Sequence, residues 1–130
     1  MFEERSGSAA AWQREKRITV GEGCKINPTA HLECVNGGSI IIGDRAEIHS
    51  GAMILTYGGD IRIGNRCSIN PYTVVYGHGG LTIGDGVRIA CHVTIIPADH
   101  NYSNVTLPIM EQGMTMRGIS IGSDVCIGSG

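Results

Sequence analysis

The sequence has few aromatic and few charged residues. Aromatic side chains make up 5% and charged side chains 17% of the 130 residues. Glycine, at 20 residues, has about twice its usual share. This combination predicts many tight turns and small repeating units, and it argues against a helical bundle. A net charge of −2 and a pI near 6.2 lack the basic footprint of a nucleic-acid-binding domain.

Long apolar runs and paired cysteines are also missing. No run approaches the roughly 18 apolar residues of a membrane span. Residues 1–17 lack the apolar core of a signal peptide, and we expect a tail or a short helix there. The five cysteines are odd in number and include no CxxC pair, which argues against a zinc ribbon or a complete disulfide framework. Free thiols are typical of a reducing compartment, so we expect a cytoplasmic protein.

The residues that are present form a repeat. Phrases of the type Ile-Gly-Asp return at intervals of 22, 21, 20 and 38 residues between their aliphatic anchors. Inside these intervals a further apolar residue follows every six positions, which gives fourteen anchors: Val20, Ile26, Leu32, Ile42, Ile48, Ile54, Ile63, Ile69, Val75, Ile83, Ile89, Ile95, Ile121 and Ile127. Four residues after most anchors the side chain is small or β-branched. Such regularity predicts a solenoid whose coils bury their apolar faces against one another.

Three anchors per coil predict three short strands around a narrow triangular prism. The anchors fill the axis, and the small residues fit the corners. A glycine follows the first anchor of each coil, and we attribute it to a sharp turn of the backbone; these residues are Gly21, Gly43, Gly64, Gly84 and Gly122. The predicted fold is an all-β parallel β-helix covering residues 18–130.

The repeat is interrupted at one corner of this prism. The first three coils carry extra residues after their third anchor, and each of these segments contains a glycine pair. Counting along the fourth coil predicts that Asp99-His100 stands in the register of Gly79-Gly80, and that residues 98–118 protrude as a loop. An insertion of this length in a compact repeat is either functional or disordered. A histidine placed there is a candidate general base near neutral pH.

The phrases around this histidine resemble those of a known family. DHNY, followed by LPI, QG and GISIGSDVCIGSG, is similar to the active-site segment of hexapeptide-repeat O-acetyltransferases that act on sugars and polysaccharides. The resemblance covers residues 18–130 and implies a left-handed parallel β-helix of about 4.5 coils with one long external loop. It implies His100 as the general base, acetyl-CoA as the donor, a sugar or glycan hydroxyl as the acceptor, and a homotrimer with the donor between its subunits. No metal is expected.

The resemblance and the stacking register indicate further residues on the acceptor side. Asn70 stands where sugar enzymes of the family often carry Asn, although Asn70-Pro71 also suits a turn. Tyr76 and His78 lie one coil below the Asp-His corner and are expected to line its approach, although Tyr76 also suits a corner cover. Asp99 is expected to contact the acceptor. Glu111, in the loop, is expected to orient His100 or to contact the acceptor.

On the donor side, we expect Gly118, Cys126 and Ser129 to border the acetyl-CoA groove. Cys126 stands where the family usually has Trp, so a flat ring beside the groove is missing. Family members usually continue for further coils beyond the position of Gly130. We therefore expect either a fragment or a chain whose open end is covered by another copy.

Three other functions share this fold. An acetyltransferase that modifies an antibiotic hydroxyl would have the same histidine and loop. A γ-class carbonic anhydrase needs three histidines converging on a metal, whereas the register places His49 in one column with Asn70 and Ala90. A non-catalytic β-helix that serves only oligomerisation is the third alternative.

Overall fold

The computed structural model describes residues 11–130, and almost all of their regular structure is β-strand. Within this part of the chain there are one short helix, α1 (Ala11–Arg14), one 3₁₀ turn (Ile109–Glu111) and sixteen strands. The tail or helix expected over residues 1–17 is described only from Ala11 onward, and its first ten residues lie outside the described part. No described helix has the length and apolar character needed to cross a membrane.

Fourteen of the strands form three parallel sheets, to which successive strands contribute in turn. The first sheet contains β1 (Ile18–Val20), β4 (Ile40–Ile42), β7 (Ile61–Ile63), β10 (Leu81–Ile83) and β15 (Ile119–Ile121). The second contains β2 (Lys25–Ile26), β5 (Glu47–Ile48), β8 (Ser68–Ile69), β11 (Arg88–Ile89) and β16 (Cys126–Ile127). The third contains β3 (His31–Glu33), β6 (Met53–Leu55), β9 (Val74–Tyr76) and β12 (Thr94–Ile95).

The pairing register of these sheets follows the six-residue beat of the sequence. Along the first sheet, Ile42 pairs with Ile63, Ile63 with Ile83, and Ile83 with Ile121. Each anchor therefore stacks on the equivalent anchor of the next coil, across the interval of 38 residues as well as across the shorter ones. The result is a β-solenoid of about four turns, in agreement with the predicted left-handed parallel β-helix.

The core of the solenoid is the column of anchors. Twelve of the fourteen anchors are buried, whereas Ile121 and Ile127 are half-buried, because no described strand pairs with the outer side of β15 or β16. Three further inward residues, not identified from the repeat, are also fully buried two positions before an anchor: Ile40, Ile61 and Leu81. Burying a side chain of this size stabilises a fold by roughly 1.5–3 kcal/mol, so the column supplies most of the apolar stabilisation. Trp12 of α1 joins the same core at the first coil.

The glycine after the first anchor has a different role from the one we expected. Left-handed backbone occurs two residues further on, at Gly23, Arg45, Arg66, Gly86 and Asp124. A Cβ on Gly43 would instead lie 2.8 Å from the carbonyl carbon of Gly64 in the next coil. A sharp turn therefore does not by itself explain these glycines, because none of them has left-handed backbone. Gly21, Gly43, Gly64 and Gly84 are required because adjacent coils approach each other too closely there for a side chain, whereas a Cβ on Gly122 would meet no atom of the described residues within 4 Å.

Side chains next to these glycines connect one coil to the next in what we call the corner ladder: Asp44, Asn65, Asp85 and Ser123. The Oδ1 atoms of Asp44, Asn65 and Asp85 accept hydrogen bonds from the backbone N–H groups of Glu22, Asp44 and Asn65 at 2.9, 2.8 and 2.7 Å. Ser123 Oγ accepts the equivalent bond from Asp85 at 3.0 Å. Each rung thus satisfies a backbone donor of the preceding coil that the sheets leave unpaired.

Candidate functional site

The chain leaves the solenoid at its third corner, after β12. Strand β13 (Ala98–His100) pairs antiparallel with β14 (Met114–Met116), with Ala98 opposite Met116 and His100 opposite Met114. The segment 98–118, expected as a protruding loop, is therefore a two-stranded ribbon with a folded tip, which we call the ribbon. Its strands hold His100 on regular backbone outside the prism.

The tip of the ribbon is tied together by the side chain of Gln112. Its Nε2 donates to the carbonyl oxygens of Asn104 and Leu107 at 2.7 and 2.8 Å, and its Oε1 accepts from the backbone N–H of Asn104 at 3.0 Å. Nearer the base, Thr115 Oγ1 donates to Asn101 Oδ1 at 2.6 Å. These bonds connect the outgoing and returning halves of the ribbon at its tip and along its strands.

The base of the ribbon is fixed to the solenoid by the returning strand. The N–H of Arg117 donates to the carbonyl of buried Pro97, and the N–H of Ile119 donates to the carbonyl of Gly80, both at 3.1 Å. A Cβ on Gly79 would lie 3.0 Å from the nitrogen of Arg117. The place above Gly79-Gly80, which we had assigned to Asp99-His100, therefore belongs to Arg117-Gly118. The Asp-His pair is displaced outward onto the ribbon because the returning strand fills the stack.

A cavity of about 560 Å³ lies at this base. Its polar lining includes Asp99, His100, Tyr102, Thr115 and Arg117, and Gly118 contributes backbone. His100 is exposed, and within residues 11–130 the structure gives its imidazole no hydrogen-bonding partner. An exposed imidazole beside a cavity can accept a proton from a bound hydroxyl. Arg117 adds a permanent positive charge to the same cavity.

Three of the nine predicted site residues, Asp99, His100 and Gly118, meet in this cavity. Arg117, Tyr102 and Thr115 also line it, and the sequence reasoning missed them. A signal for Arg117 was present. The repeat pairs Leu81 with Ile119, which puts the two residues before Ile119 above the Gly79-Gly80 corner.

Tyr76 and His78 do not line this cavity; they pack against Tyr57 of the coil below. The rings of Tyr57 and His78 are stacked with centroids 4.8 Å apart, and Tyr76 meets Tyr57 edge-on at 4.7 Å. His78 is 8% exposed, and among residues 11–130 its Nδ1 has no hydrogen-bonding partner. Burial lowers the pKa of the His78 imidazole. The pKa of Tyr76 is raised, mainly by burial and to a smaller extent by the neighbouring Tyr57. This arrangement gives both residues a packing role.

The remaining acceptor-side residues also lie outside this cavity. Asn70 follows β8 at the second corner, and its Nδ2 donates to the carbonyl of Ile89 at 2.7 Å. Strand pairing places it in one column with His49 and Ala90, as the register predicted. Glu111 is exposed on the 3₁₀ turn at the tip of the ribbon.

The two other donor-side residues lie on or after β16. Cys126 is exposed and pairs with Arg88 of β11. Ser129 is exposed, and its Oγ lies 3.6 Å from the Sγ of Cys91. Over residues 11–130 no three His, Cys, Asp or Glu side chains come together in a group that could hold a metal ion.

Fold and site together define a hexapeptide-repeat β-solenoid with a histidine-bearing ribbon. The chain is 31% identical over 112 residues to a protein of Mycobacterium tuberculosis named probable acetyltransferase Rv3034c. The match covers 85% of this chain and 35% of that relative, so the chain spans about a third of the relative's length. No family model matches the chain, and no solved structure matches it. The similarity and the solenoid fit a hexapeptide-repeat acyltransferase.

Proposed function

We propose that this protein transfers an acetyl group from acetyl-CoA to a hydroxyl of a sugar or glycan, with His100 as the general base. The observation that carries the proposal is the exposed imidazole of His100 in the cavity at the base of the ribbon. The similarity to a probable acetyltransferase supports acetyl transfer in general. The sugar acceptor is proposed from the resemblance of the segment around His100 to sugar O-acetyltransferases.

The role of His100 in this reaction is proton transfer. Its imidazole takes the proton of the acceptor hydroxyl as that oxygen attacks the acyl carbon, and it passes the proton to the sulfur of CoA as the carbon–sulfur bond breaks. Acetyl-CoA supplies the activated thioester, so the protein needs to provide orientation and a base. General-base catalysis of this kind contributes about 100- to 10,000-fold to the rate.

The residues of the cavity fit such a donor at its acyl end. Gly118 has no side chain to obstruct the cavity, and within the described residues its backbone N–H donates to no acceptor. A free N–H beside the base is suited to stabilise the oxyanion that forms on the acyl carbon. The guanidinium of Arg117 offers a counter-charge for an anionic part of the donor or acceptor. Cys126 and Ser129 remain proposed contacts for the rest of the donor.

A homotrimer would bring the separated site residues together. Asn70 lies at the second corner, between the second and third sheets, whereas His100 lies beyond the third corner. These are different edges of one prism, so both residues can serve one active site only if two copies of the chain supply them. The mass of the protein in solution, measured by light scattering, tests this part; a monomer at working concentration would exclude it.

Thiol release from acetyl-CoA tests the proposed reaction. We expect His100→Gln to lower kcat by about 100- to 10,000-fold with little change in the unfolding midpoint, because the residue is exposed. His31→Gln is the matched control. His31 is also exposed and pairs with Glu33 at 2.8 Å, but it belongs to the first coil, far from the ribbon in sequence and stacking order.

The choice of acceptors separates the alternatives. Assays with simple sugars, oligosaccharides and hydroxyl-bearing antibiotics are expected to show release with sugars, and release restricted to antibiotics would favour the xenobiotic enzyme. If no acceptor gives release that depends on His100, the enzymatic proposal fails and the non-catalytic β-helix is favoured. We also propose a cytoplasmic location, because the five cysteines are free thiols.

A further inference from the structure

A second cavity, of about 510 Å³, lies at the third corner beside the ribbon. It is lined by Tyr57, Asp60, Met116 of β14, and the glycine pairs Gly58-Gly59 and Gly79-Gly80. Thr115 and Arg117, the neighbours of Met116, line the cavity of His100 instead. Because successive side chains of a strand point to opposite faces, the two cavities lie on opposite faces of β14.

One wall of this second cavity is a fixed aromatic ring. Tyr57 contacts His78 at 4.8 Å and Tyr76 at 4.7 Å, whereas the centroids of those two rings are 5.8 Å apart. Since 5.8 Å is well below the sum of the other two distances, the two partners do not lie on opposite sides of Tyr57. They hold the ring, which is half-buried and lines the cavity, and Met116, which is 52% exposed, provides a second apolar surface.

The remaining walls of the second cavity are formed by the Asp60 side chain and by glycine backbone, so they offer hydrogen-bonding groups without large side chains. Asp60 Oδ1 accepts from Ser39 Oγ at 3.0 Å, and a carboxylate has about four acceptor sites, so capacity remains for ligand hydroxyls. The glycine pairs leave the floor as bare backbone. Gly59 has no room for a side chain, since a Cβ there would collide with the carbonyl oxygen of Gly77.

This combination selects a ligand class. A sugar ring has apolar C–H faces and a rim of hydroxyls, so it suits an apolar wall combined with a few polar groups. The described lining contains no lysine or arginine, and the carboxylate of Asp60 repels anions. The phosphates of a nucleotide or of acetyl-CoA are therefore disfavoured in this cavity.

We infer that the second cavity binds an uncharged sugar ring, as a further contact for a glycan whose hydroxyl is acetylated at His100. The coupling to acetylation rests on the proposed function, but sugar binding by Tyr57 and Asp60 does not. The acceptor is then an oligosaccharide or polysaccharide rather than a free monosaccharide.

Direct binding tests the inference. Glucose, galactose and N-acetylglucosamine, with their di-, tri- and tetrasaccharides, serve as probes for calorimetry and saturation-transfer NMR on the whole protein. We expect Tyr57→Asn to weaken binding roughly three- to tenfold. Tyr72→Asn is the matched control, because both tyrosines have left-handed backbone, with φ of 43° and 61°, and Asn tolerates that conformation. Asp60→Ala is a second variant, for the case that Tyr57→Asn unfolds.

The outcomes separate this inference from the proposed reaction. Binding that is weakened by Tyr57→Asn and Asp60→Ala, but not by Tyr72→Asn or His100→Gln, supports the sugar site even if no acetyl transfer is found. Absence of binding to every probe, or equal loss in the Tyr57 and Tyr72 variants, overturns it. The remaining outcome is acetyl transfer with a KM that does not differ between mono- and tetrasaccharides and does not differ between wild type and Tyr57→Asn. That result overturns the role of the second cavity in acceptor binding and leaves the proposed reaction intact.

Discussion

Substituting Gly43 and Gly23 in parallel distinguishes two reasons for a glycine at the first corner. Gly43 lacks a side chain because the next coil is too close, whereas Gly23 has left-handed backbone with φ of 69°. In the next coil Arg45 takes the place of Gly23 at φ of 55°, so a side chain is tolerated there. We therefore expect Gly43→Ala to destabilise the fold more than Gly23→Ala.

The size of the difference follows from the contacts. A Cβ on Gly43 would lie 2.8 Å from the carbonyl carbon of Gly64 and would collide with Asn65 Oδ1. Overpacking of this kind costs about 1–3 kcal/mol, and losing the bond from Asn65 to the N–H of Asp44 costs about 0.5–1.5 kcal/mol. The expected loss is about 1.5–4.5 kcal/mol. At Gly23 a Cβ would be 3.4 Å from Arg45 Cγ, so Ala there incurs mainly the left-handed penalty of about 1–2 kcal/mol.

Asparagine at both positions makes the test sharper. Asn tolerates left-handed backbone better than Ala does. Gly23→Asn should therefore lose less unfolding free energy than Gly23→Ala, whereas Gly43→Asn should lose more than Gly43→Ala. Urea unfolding followed by circular dichroism gives the free energies, and the fluorescence of the single tryptophan, Trp12, which is 9% exposed, follows the first coil. If Asn rescued Gly43, or if both Ala variants lost the same free energy, the close approach of the coils would not be the reason for the glycine.

Three further predictions concern the core, the buried histidine and the ribbon. Ile69→Ala, at a residue with 0% exposure, should cost about 2–5 kcal/mol in urea unfolding, and a smaller loss than Ile121→Ala would contradict the described core. Burial lowers the pKa of His78 below its ordinary 6.5, so its contribution to stability should be complete above about pH 6.5 and should be lost as the pH drops toward the folded-state pKa. In His78→Phe the urea midpoint should fall less over this pH range, and an unchanged fall would refute this role of His78. Gln112→Leu should speed hydrogen exchange in the ribbon while leaving the urea midpoint unchanged, and equal protection in both proteins would show that its bonds do not hold the tip.

The fold could be predicted because one physical requirement repeats along the chain. Every sixth residue must fill the axis, and the stacking of Ile42, Ile63 and Ile83 follows directly from that spacing. The additional inward residues, such as Ile61, were missed because they lie two positions before an anchor and outside the six-residue count. The reason for the glycines was also missed, since the distance between adjacent backbones is a property of the stack and not of one coil.

The site was predictable only as far as the repeat reaches. The interruption located His100 and the corner to which it belongs, but the path of the chain beyond Pro97 depends on antiparallel pairing that no periodicity encodes. The direction of corner side chains was likewise not accessible. Counting put His78 below the Asp-His corner, whereas its contact with Tyr57 turns it into the interior. Arg117 could have been found by counting back from Ile119, whose pairing with Leu81 follows from the repeat.

The corner ladder runs in one direction along the chain, because each acceptor side chain lies one coil after the N–H group that it binds. Asp44 serves the N–H of Glu22, Asn65 serves Asp44, and Asp85 serves Asn65, so every rung completes the coil made before it. A chain emerging from the ribosome presents these donors in the order in which their acceptors arrive. A substitution therefore affects the preceding coil: in Asp85→Ala the N–H of residue 85 still donates to Ser123 Oγ, whereas the N–H of Asn65 loses its acceptor. A substitution in the ladder therefore leaves an unpaired N–H group in the coil before the one that carries the substitution.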